Sequence, residues 1–356
     1  MSKPIYTVYK TMTRHSLSSP ALLCLCLAGA VLFNLFVSQP AFADALSDCM
    51  HKTLLASNDA VTVGEIRAQC LEQLKVGNQV AQQVSSPPTA VERRIKKERE
   101  NILRPFTLTT HRANYILPFV YNSASYNSSH HGVKGNGDPY DFKDAEAQFQ
   151  ISLKTPLMVD LFNGRLDVYA AYTNHSFWQI YDSDDSEPFR EAIHEPEIWV
   201  QFQPNWEFLG FKNTGNLIGF NHQSNGQSDL RSRSWNRIFA TVLVERGNLA
   251  LALRPWIPFY DEDDDGDNPD ITDYMGHFDL MATYRMGDHT FSVRGQNNLE
   301  SGFSRGGLEL SWSFPLGSWP FLRGYVQYYT GYGESLIDYD QYTNRLGIGF
   351  SLSDWL

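Results

Sequence analysis

LDVYAAYTN, residues 166–174, reads with a period of two. Leu166, Val168, Ala170 and Tyr172 share one face of an extended chain, and Asp167 and Thr173 lie on the other. The same pattern recurs in Ala147, Phe149, Ile151 and Leu153, then in Ile198, Val200 and Phe202, then in Leu249, Leu251 and Leu253. It continues in Phe278, Leu280, Ala282 and Tyr284, in Leu308, Leu310, Trp312 and Phe314, and in Leu346, Ile348, Phe350 and Leu352. Turn clusters such as Asn163-Gly164, Gly287-Asp288 and Gly331-Tyr332-Gly333 separate the runs. From about Ala113 onward this spacing predicts roughly twelve strands.

A soluble β-sandwich would alternate too. Three features favour a transmembrane barrel. The runs reach about ten residues, the length a tilted strand needs to cross a bilayer. Aromatic residues gather near strand ends, at Tyr115, Phe177, Trp178, Trp256, Trp312, Trp319, Tyr328 and Tyr329, as an interfacial girdle would require. The chain also ends on a strand, with Trp355 and Leu356. The expected fold is all-β: a twelve-stranded antiparallel transmembrane β-barrel over residues 105–356, preceded by a short helical extension over residues 44–104.

Composition narrows the function. The net charge of −11 over 356 residues leaves no basic face for nucleic acid. The only long apolar run is N-terminal, which excludes a polytopic helical membrane protein. That run, Ala21 to Val37, follows Lys3, Lys10 and Arg14 and precedes Ala41-Phe42-Ala43. Residues 1–43 therefore read as a secretory signal peptide, with an uncleaved anchor helix as the alternative. A lipoprotein processed at Cys49 is a weaker reading, because Asp48 stands where a small residue is needed. Removal of the signal takes Cys24 and Cys26 with it. Cys49 and Cys70 remain, either as one disulfide or as two thiols. Within the extension, the mixed-charge run from Arg93 to Glu100 reads as a solvated helix face, and Ser85-Ser86-Pro87-Pro88 as a breaker.

One polar stretch is out of place. NHQSNGQSDLRSRSWNR, residues 221–237, interrupts two alternating runs. Parity with Ile218 and Phe220 puts His222 and Ser224 on the outward, lipid-facing side. Parity with Ile238, Ala240, Val242 and Val244 puts Asn236 there as well, while Arg237, Thr241 and Glu245 face inward. Polar groups at the end of an apolar stripe are costly and call for a reason. Acyl transfer supplies one: Ser224 as nucleophile, His222 as base, Asn236 as the group that orients the imidazole. A Ser-rich extracellular loop is the alternative.

The stretch resembles the active-site signature of the outer membrane phospholipase A family. PFREAIHEPE, DNPDITDYMG and YTGYGESLIDY also resemble segments of that family, and the likeness runs roughly from Thr109 to Leu356. The resemblance implies a twelve-stranded barrel of the bacterial outer membrane with an exterior Ser224-His222-Asn236 triad. It implies hydrolysis of acyl esters of phospholipids and lysophospholipids at both positions, and dependence on Ca²⁺. By the same likeness Gly226 is the oxyanion donor. The calcium ligands are the side chains of Asp229 and Ser232 and the carbonyl of Gln227, where the family has Arg. The carbonyl of Ser186 from a second copy completes the site in a homodimer. Asn174, with the lipid-facing parity of Tyr172, is the expected interface residue, because a lone amide in hydrocarbon gains from a partner chain, with an amide wetted by lipid headgroups as the alternative. Two further features read as bland. Asp261–Asp270 lacks the twelfth-position Glu of an EF-hand loop and reads as a solvated acidic loop. His130-His131 reads as loop rather than metal site. A porin-like barrel and a soluble secreted lipase are the competing functions.

Overall fold

The computed structural model describes residues 42–56, 62–83, 89–101, 107–126, 128–134, 137–186, 188–204, 206–259, 268–297 and 299–353. Most of the signal-peptide reading, the Ser85–Pro88 breaker, Asp261 to Asp267 of the acidic loop, and the final Trp355 and Leu356 lie outside them.

Twelve antiparallel strands close into a barrel. They are β1 (Asn114–Asn122), β2 (Ala145–Asp160), β3 (Leu166–Trp178), β4 (Phe189–Phe202), β5 (Phe211–Ser224) and β6 (Ser234–Arg246), followed by β7 (Leu249–Phe259), β8 (Phe278–Met286), β9 (His289–Asn297), β10 (Gly306–Leu316), β11 (Trp319–Gly331) and β12 (Thr343–Ser353). Each strand pairs with the next, and β12 pairs back onto β1, with Ile348 opposite Phe119. Closure leaves no open sheet edge, which is what hydrocarbon demands of a strand-built span. Two-residue strands at Thr109–Thr110 and Glu207–Phe208 extend β2 and β5 at one rim.

The alternating residues fall on the faces that parity assigns. Ile151, Tyr172, Ile198, Ile238, Leu280, Leu310 and Ile348 are exposed on the outer wall. Glu146, Gln148, Asp167, Thr173, Asn221, Arg237 and Gln327 are buried inside. The lumen is filled by paired charge. Glu195 receives Arg112 at 2.7 and 2.8 Å and Asn221 at 2.7 Å. Arg190 meets Glu146 at 3.0 Å. Buried ions of this kind persist only when each has its partner. A cavity of about 290 Å³ remains among these side chains.

The aromatic girdle needs correction. Trp312 and Trp319 are exposed outside, but Tyr115, Phe177, Trp256 and Tyr329 are buried within the barrel. Nearness to a strand end says nothing about face. Parity decides that, and these four have inward parity.

Among the described residues, three helices precede the barrel: α1 (Phe42–Ala56), α2 (Val63–Gln83) and α3 (Ala90–Asn101). The Cys49–Cys70 disulfide joins α1 to α2. Thr62 with Glu65, and Thr89 with Glu92, form reciprocal capping boxes that start α2 and α3. The charged run on α3 is not simply solvated. Arg94 donates to the Thr110 carbonyl at 2.9 Å, Lys154 meets Glu98 at 2.9 Å, and Arg99 reaches Asp160 and Asp167 at 3.2 and 2.8 Å. Lys212 pairs with Glu92. Burial opposes the charge of the Glu98 carboxyl, but Lys154 and Arg94 outweigh it and hold the group below the usual carboxylate range. Val91 is buried, and Arg94, Ile95 and Glu98 line the luminal cavity. So α3 floors the barrel at the end that carries the short turns, such as residues 247–248 and 287–288. Short turns mark the periplasmic rim of an outer-membrane barrel, and long loops the extracellular one.

Candidate active site on the barrel exterior

His222 and Ser224 end β5, and Asn236 lies near the start of β6, at the long-loop rim. The β5–β6 register puts His222 directly opposite Asn236, and Ser224 opposite Ser234. Asn221 and Trp235 are buried inside the barrel, whereas Phe220 and Ile238 are exposed outside. His222, Ser224 and Asn236 therefore project outward, half-buried at the end of the apolar wall. Phe259 faces Asn236 across β6 and β7, and its ring packs 5.3 Å from that of Phe220.

His222 Nδ1 lies 2.8 Å from Asn236 Oδ1. An amide oxygen can only accept, so Nδ1 carries the proton and Nε2 is left as the basic nitrogen. Ser224 is two residues farther along the same face, about 7 Å by strand rise. A hydroxyl, an imidazole of defined tautomer and an amide, the three group types that acyl transfer uses, are thus brought to one outer edge.

The loop after Ser224 holds the other expected residues. Gly226 has φ +65°, which a side chain would strain. Asp229 also has positive φ and opens a 3₁₀ turn, Asp229–Arg231, closed by the Ser232 amide on the Asp229 carbonyl at 3.0 Å. Gln227 and Asp229 are exposed, and Ser232 is half-buried. One carboxylate, one hydroxyl and one carbonyl within six residues are hard oxygen donors of the kind Ca²⁺ takes, and they are fewer than the six to eight it needs. Ser186 is exposed on a different loop, between β3 and β4.

Asn225, unremarked in the sequence reading, organises this loop. It is buried, and both ends of its amide are used. Oδ1 accepts from the Gln227 and Arg233 amides at 3.2 and 3.0 Å. Nδ2 donates to the Arg231 carbonyl at 2.9 Å and to Glu191 at 3.2 Å. Glu191 in turn accepts the Leu336 and Ile337 amides, each at 2.8 Å. Inward parity with Asn221 and Gln223 was the available signal.

The three other quoted segments meet behind that loop. Ser234 donates its amide to Asn268 at 3.1 Å. Tyr339 is bonded to Asp270, so the end of the acidic stretch is tied down rather than solvated. Ile271, Met275, Leu336 and Tyr339 join Phe177, Trp235 and Trp256 in one buried cluster under the rim. His130 and His131 belong to this brace as well. They form a short 3₁₀ turn, with His131 Nε2 3.1 Å from Asp338 Oδ2 and Arg190 donating to the same oxygen at 2.9 Å. Burial works against the Asp338 charge, yet the two histidines and Arg190 hold its carboxyl well below the usual range. The carboxylates of Asp338 and Asp340, 3.7 and 3.6 Å from its Nδ1, raise the pKa of His130.

Asn174 is half-buried on the outer face of β3. Its Nδ2 donates to the Ile193 carbonyl at 3.3 Å, and its Oδ1 accepts from Ser176 at 2.9 Å. It is therefore not the lone amide that parity suggested, since neighbours within the same barrel satisfy both its ends.

Residues 91–352 match the family model described as Phospholipase A1. The chain belongs to the phospholipase A1 family. Phospholipase A1 of Escherichia coli K12 is 38% identical over 250 residues, which is 70% of this chain and 83% of that one. Among solved structures, an outer membrane phospholipase dimer from Salmonella typhi with bound calcium superposes with a TM-score of 0.64 at 37% identity, covering 70% of this chain and 94% of that one. An active-site variant of E. coli outer membrane phospholipase A, with asparagine replaced by alanine, gives a TM-score of 0.65 at 37% identity over 72% and 97% of the two chains. Family membership and closed barrel together set aside the porin and soluble-lipase readings: this phospholipase is a protein of the outer membrane. The matched region begins inside α3, so α1 and α2 stand outside the family core.

Proposed function

We propose that this outer-membrane phospholipase hydrolyses the acyl esters of phospholipids and lysophospholipids at its lipid-facing wall, with Ser224 as nucleophile, His222 as general base and Asn236 as orienting group, in a calcium-dependent homodimer. The observation that carries the reading is the 2.8 Å His222–Asn236 hydrogen bond, made on the outer face that also bears Ser224. A neutral amide suits that place, since an ionised carboxylate facing acyl chains would be expensive to desolvate. The solved relative with an active-site asparagine change agrees with such a role.

In the reaction, Ser224 Oγ attacks the ester carbonyl and passes its proton to His222 Nε2. The Gly226 amide donates to the oxygen that gains charge. His222 returns the proton to the departing lysophospholipid alcohol, and water then releases the fatty acid from the acyl-serine. When bound, calcium would supply positive charge beside that oxygen. Asp229, Ser232 and the Gln227 carbonyl fit it by donor type, and their small number leaves room for water and for the Ser186 carbonyl of a second copy. The relative solved as a calcium-bound dimer supports that arrangement. Asn174 lies at the proposed interface and would exchange one of its present partners for a symmetry mate. Residues 1–43 act as the export signal, and the 44–104 extension sits on the periplasmic side.

The test is fatty-acid release from phospholipid micelles by wild type, Ser224→Ala, His222→Ala and Asp229→Ala over a calcium titration, with crosslinked dimer followed in parallel. The first two variants should lose nearly all activity while remaining heat-modifiable barrels. Asp229→Ala should need more calcium for both activity and dimer. Full activity in excess chelator, or in a species shown to be monomeric, defeats the calcium–dimer reading.

A further inference from the structure

A second imidazole stands beside the triad. His194 on β4 is the register partner of Ser224 and is half-buried on the same outer face. Its Nδ1 lies 2.5 Å from the hydroxyl of Tyr172, an exposed residue of β3. The far edge of the ring meets the oxyanion loop. A Cβ placed on Gly226 would sit 3.7 Å from His194 Cδ2 and 3.9 Å from Nε2. One ring nitrogen is thus engaged by Tyr172, and the other lies beside Gly226.

A neutral imidazole has one donor and one acceptor nitrogen. The contact with Tyr172 permits either direction; when the Tyr172 hydroxyl donates to Nδ1, the proton resides on Nε2. That leaves a fixed N–H at the level of the nucleophile, on the strand flanking Ser224 opposite to the one that bears Asn236. Such a donor costs no reorganisation when charge develops beside it.

We propose that His194 is a catalytic residue of this esterase, its Nε2–H donating to the carbonyl oxygen of the scissile ester alongside the Gly226 amide, and that Tyr172 is the positioning residue that sets its tautomer. The proposal rests on Ser224 being the nucleophile. As the Ser224 Oγ–carbon bond forms, the carbonyl π pair moves onto oxygen, and His222 takes the hydroxyl proton. The oxyanion then accepts from Gly226 and His194. When the carbonyl reforms, the alkoxide leaves with the proton from His222. His194 keeps its own proton throughout.

A phospholipid offers a second anionic oxygen, the phosphate diester, several bonds from the reacting carbonyl. The register of His194 with Ser224 favours the carbonyl, and the experiment separates the two. Full-length wild type, His194→Phe, His194→Gln and Tyr172→Phe are assayed with saturating calcium on a diacyl phospholipid and on an uncharged long-chain ester without phosphate. His194→Phe should lower kcat roughly 100-fold on both substrates, the lower end of what loss of one oxyanion donor costs, with KM little changed. His194→Gln, which keeps an N–H donor, should recover much of that loss, and Tyr172→Phe should fall between. A loss confined to the phospholipid would place His194 on the phosphate and overturn the proposal. So would a change in KM alone, or wild-type kcat in His194→Phe. A Ser224→Ala control that remained active would instead defeat the nucleophile assignment beneath it.

Discussion

Replacing Asn225 with alanine should uncouple the proposed oxyanion and calcium loop from the barrel without unfolding the barrel. The buried amide makes four hydrogen bonds, three of them to main-chain groups of residues 227, 231 and 233. A net hydrogen bond contributes about 0.5–1.5 kcal/mol. The Gln227 amide lies on an exposed residue and regains water, and Glu191 keeps its bonds from Leu336 and Ile337. The total therefore belongs at the lower part of the range, roughly 2–4 kcal/mol of loop order. Every 1.4 kcal/mol is a factor of ten. If all of that ordering must be regained on binding, the calcium needed for half-maximal activity rises roughly 30- to 700-fold. The strands keep their ladder and their lumen, so heat-modifiable migration and thermal unfolding of the barrel should hardly change. The assay is a calcium titration of ester hydrolysis for wild type, Asn225→Ala and Asn225→Asp, beside a melting curve. Asn225→Asp retains the two acceptor contacts but sets a second carboxylate against Glu191 and the Arg231 carbonyl, so it should not restore the calcium response. A wild-type calcium response in Asn225→Ala would refute the claim that this amide holds the loop; a collapsed barrel would show that it holds much more.

Asn236→Ala should reduce kcat less than Ser224→Ala, because the proposed nucleophile and base remain; equal loss, measured on the same micelles, would mean that Asn236 does more than orient. The His130–Asp338 brace should respond to pH in two directions. Asp338, with its carboxyl held low, contributes fully above about pH 4 and loses that contribution as pH falls through its folded value; His130, held high, contributes fully below about pH 6.5 and loses its share as pH rises through its folded value. Limited proteolysis of the extracellular loops should therefore separate His130→Gln from wild type most clearly near pH 5–6, and a difference that grows instead toward pH 9 would contradict the assignment. Cys70→Ser should destabilise the α1–α2 hairpin by roughly 3 kcal/mol, as expected for a closed loop of about 20 residues, while esterase activity stays at wild-type level; loss of activity would tie the hairpin to the site.

The period of two defined the strands and their faces, and the length of the runs separated a membrane barrel from a sandwich. A strand has two faces, and only a closed barrel lets one of them be apolar around the whole wall without leaving an edge. The same arithmetic placed His222, Ser224 and Asn236 outside and Arg237 inside, because facing depends on parity and parity is written in the chain. Parity carries no information on distance between strands. That Asn236 stands directly across from His222, and that His194 is level with Ser224, follows from register, which the turns and loops decide. The extended reach of paired side chains escaped the sequence for a similar reason. The charges of α3 find Lys154, Asp167 and Lys212 far along the chain, and Asn225 is held to Glu191 and thence to residues 336 and 337. The first set depends on α3 reaching β2, β3 and β5 at the short-turn rim, and the second on closure bringing β4, the loop after β5 and the loop before β12 together at the long-loop rim. The buried aromatics show the limit from the other side: Tyr115, Phe177, Trp256 and Tyr329 sit near strand ends as girdle residues do, and only the inward face of each strand makes them core.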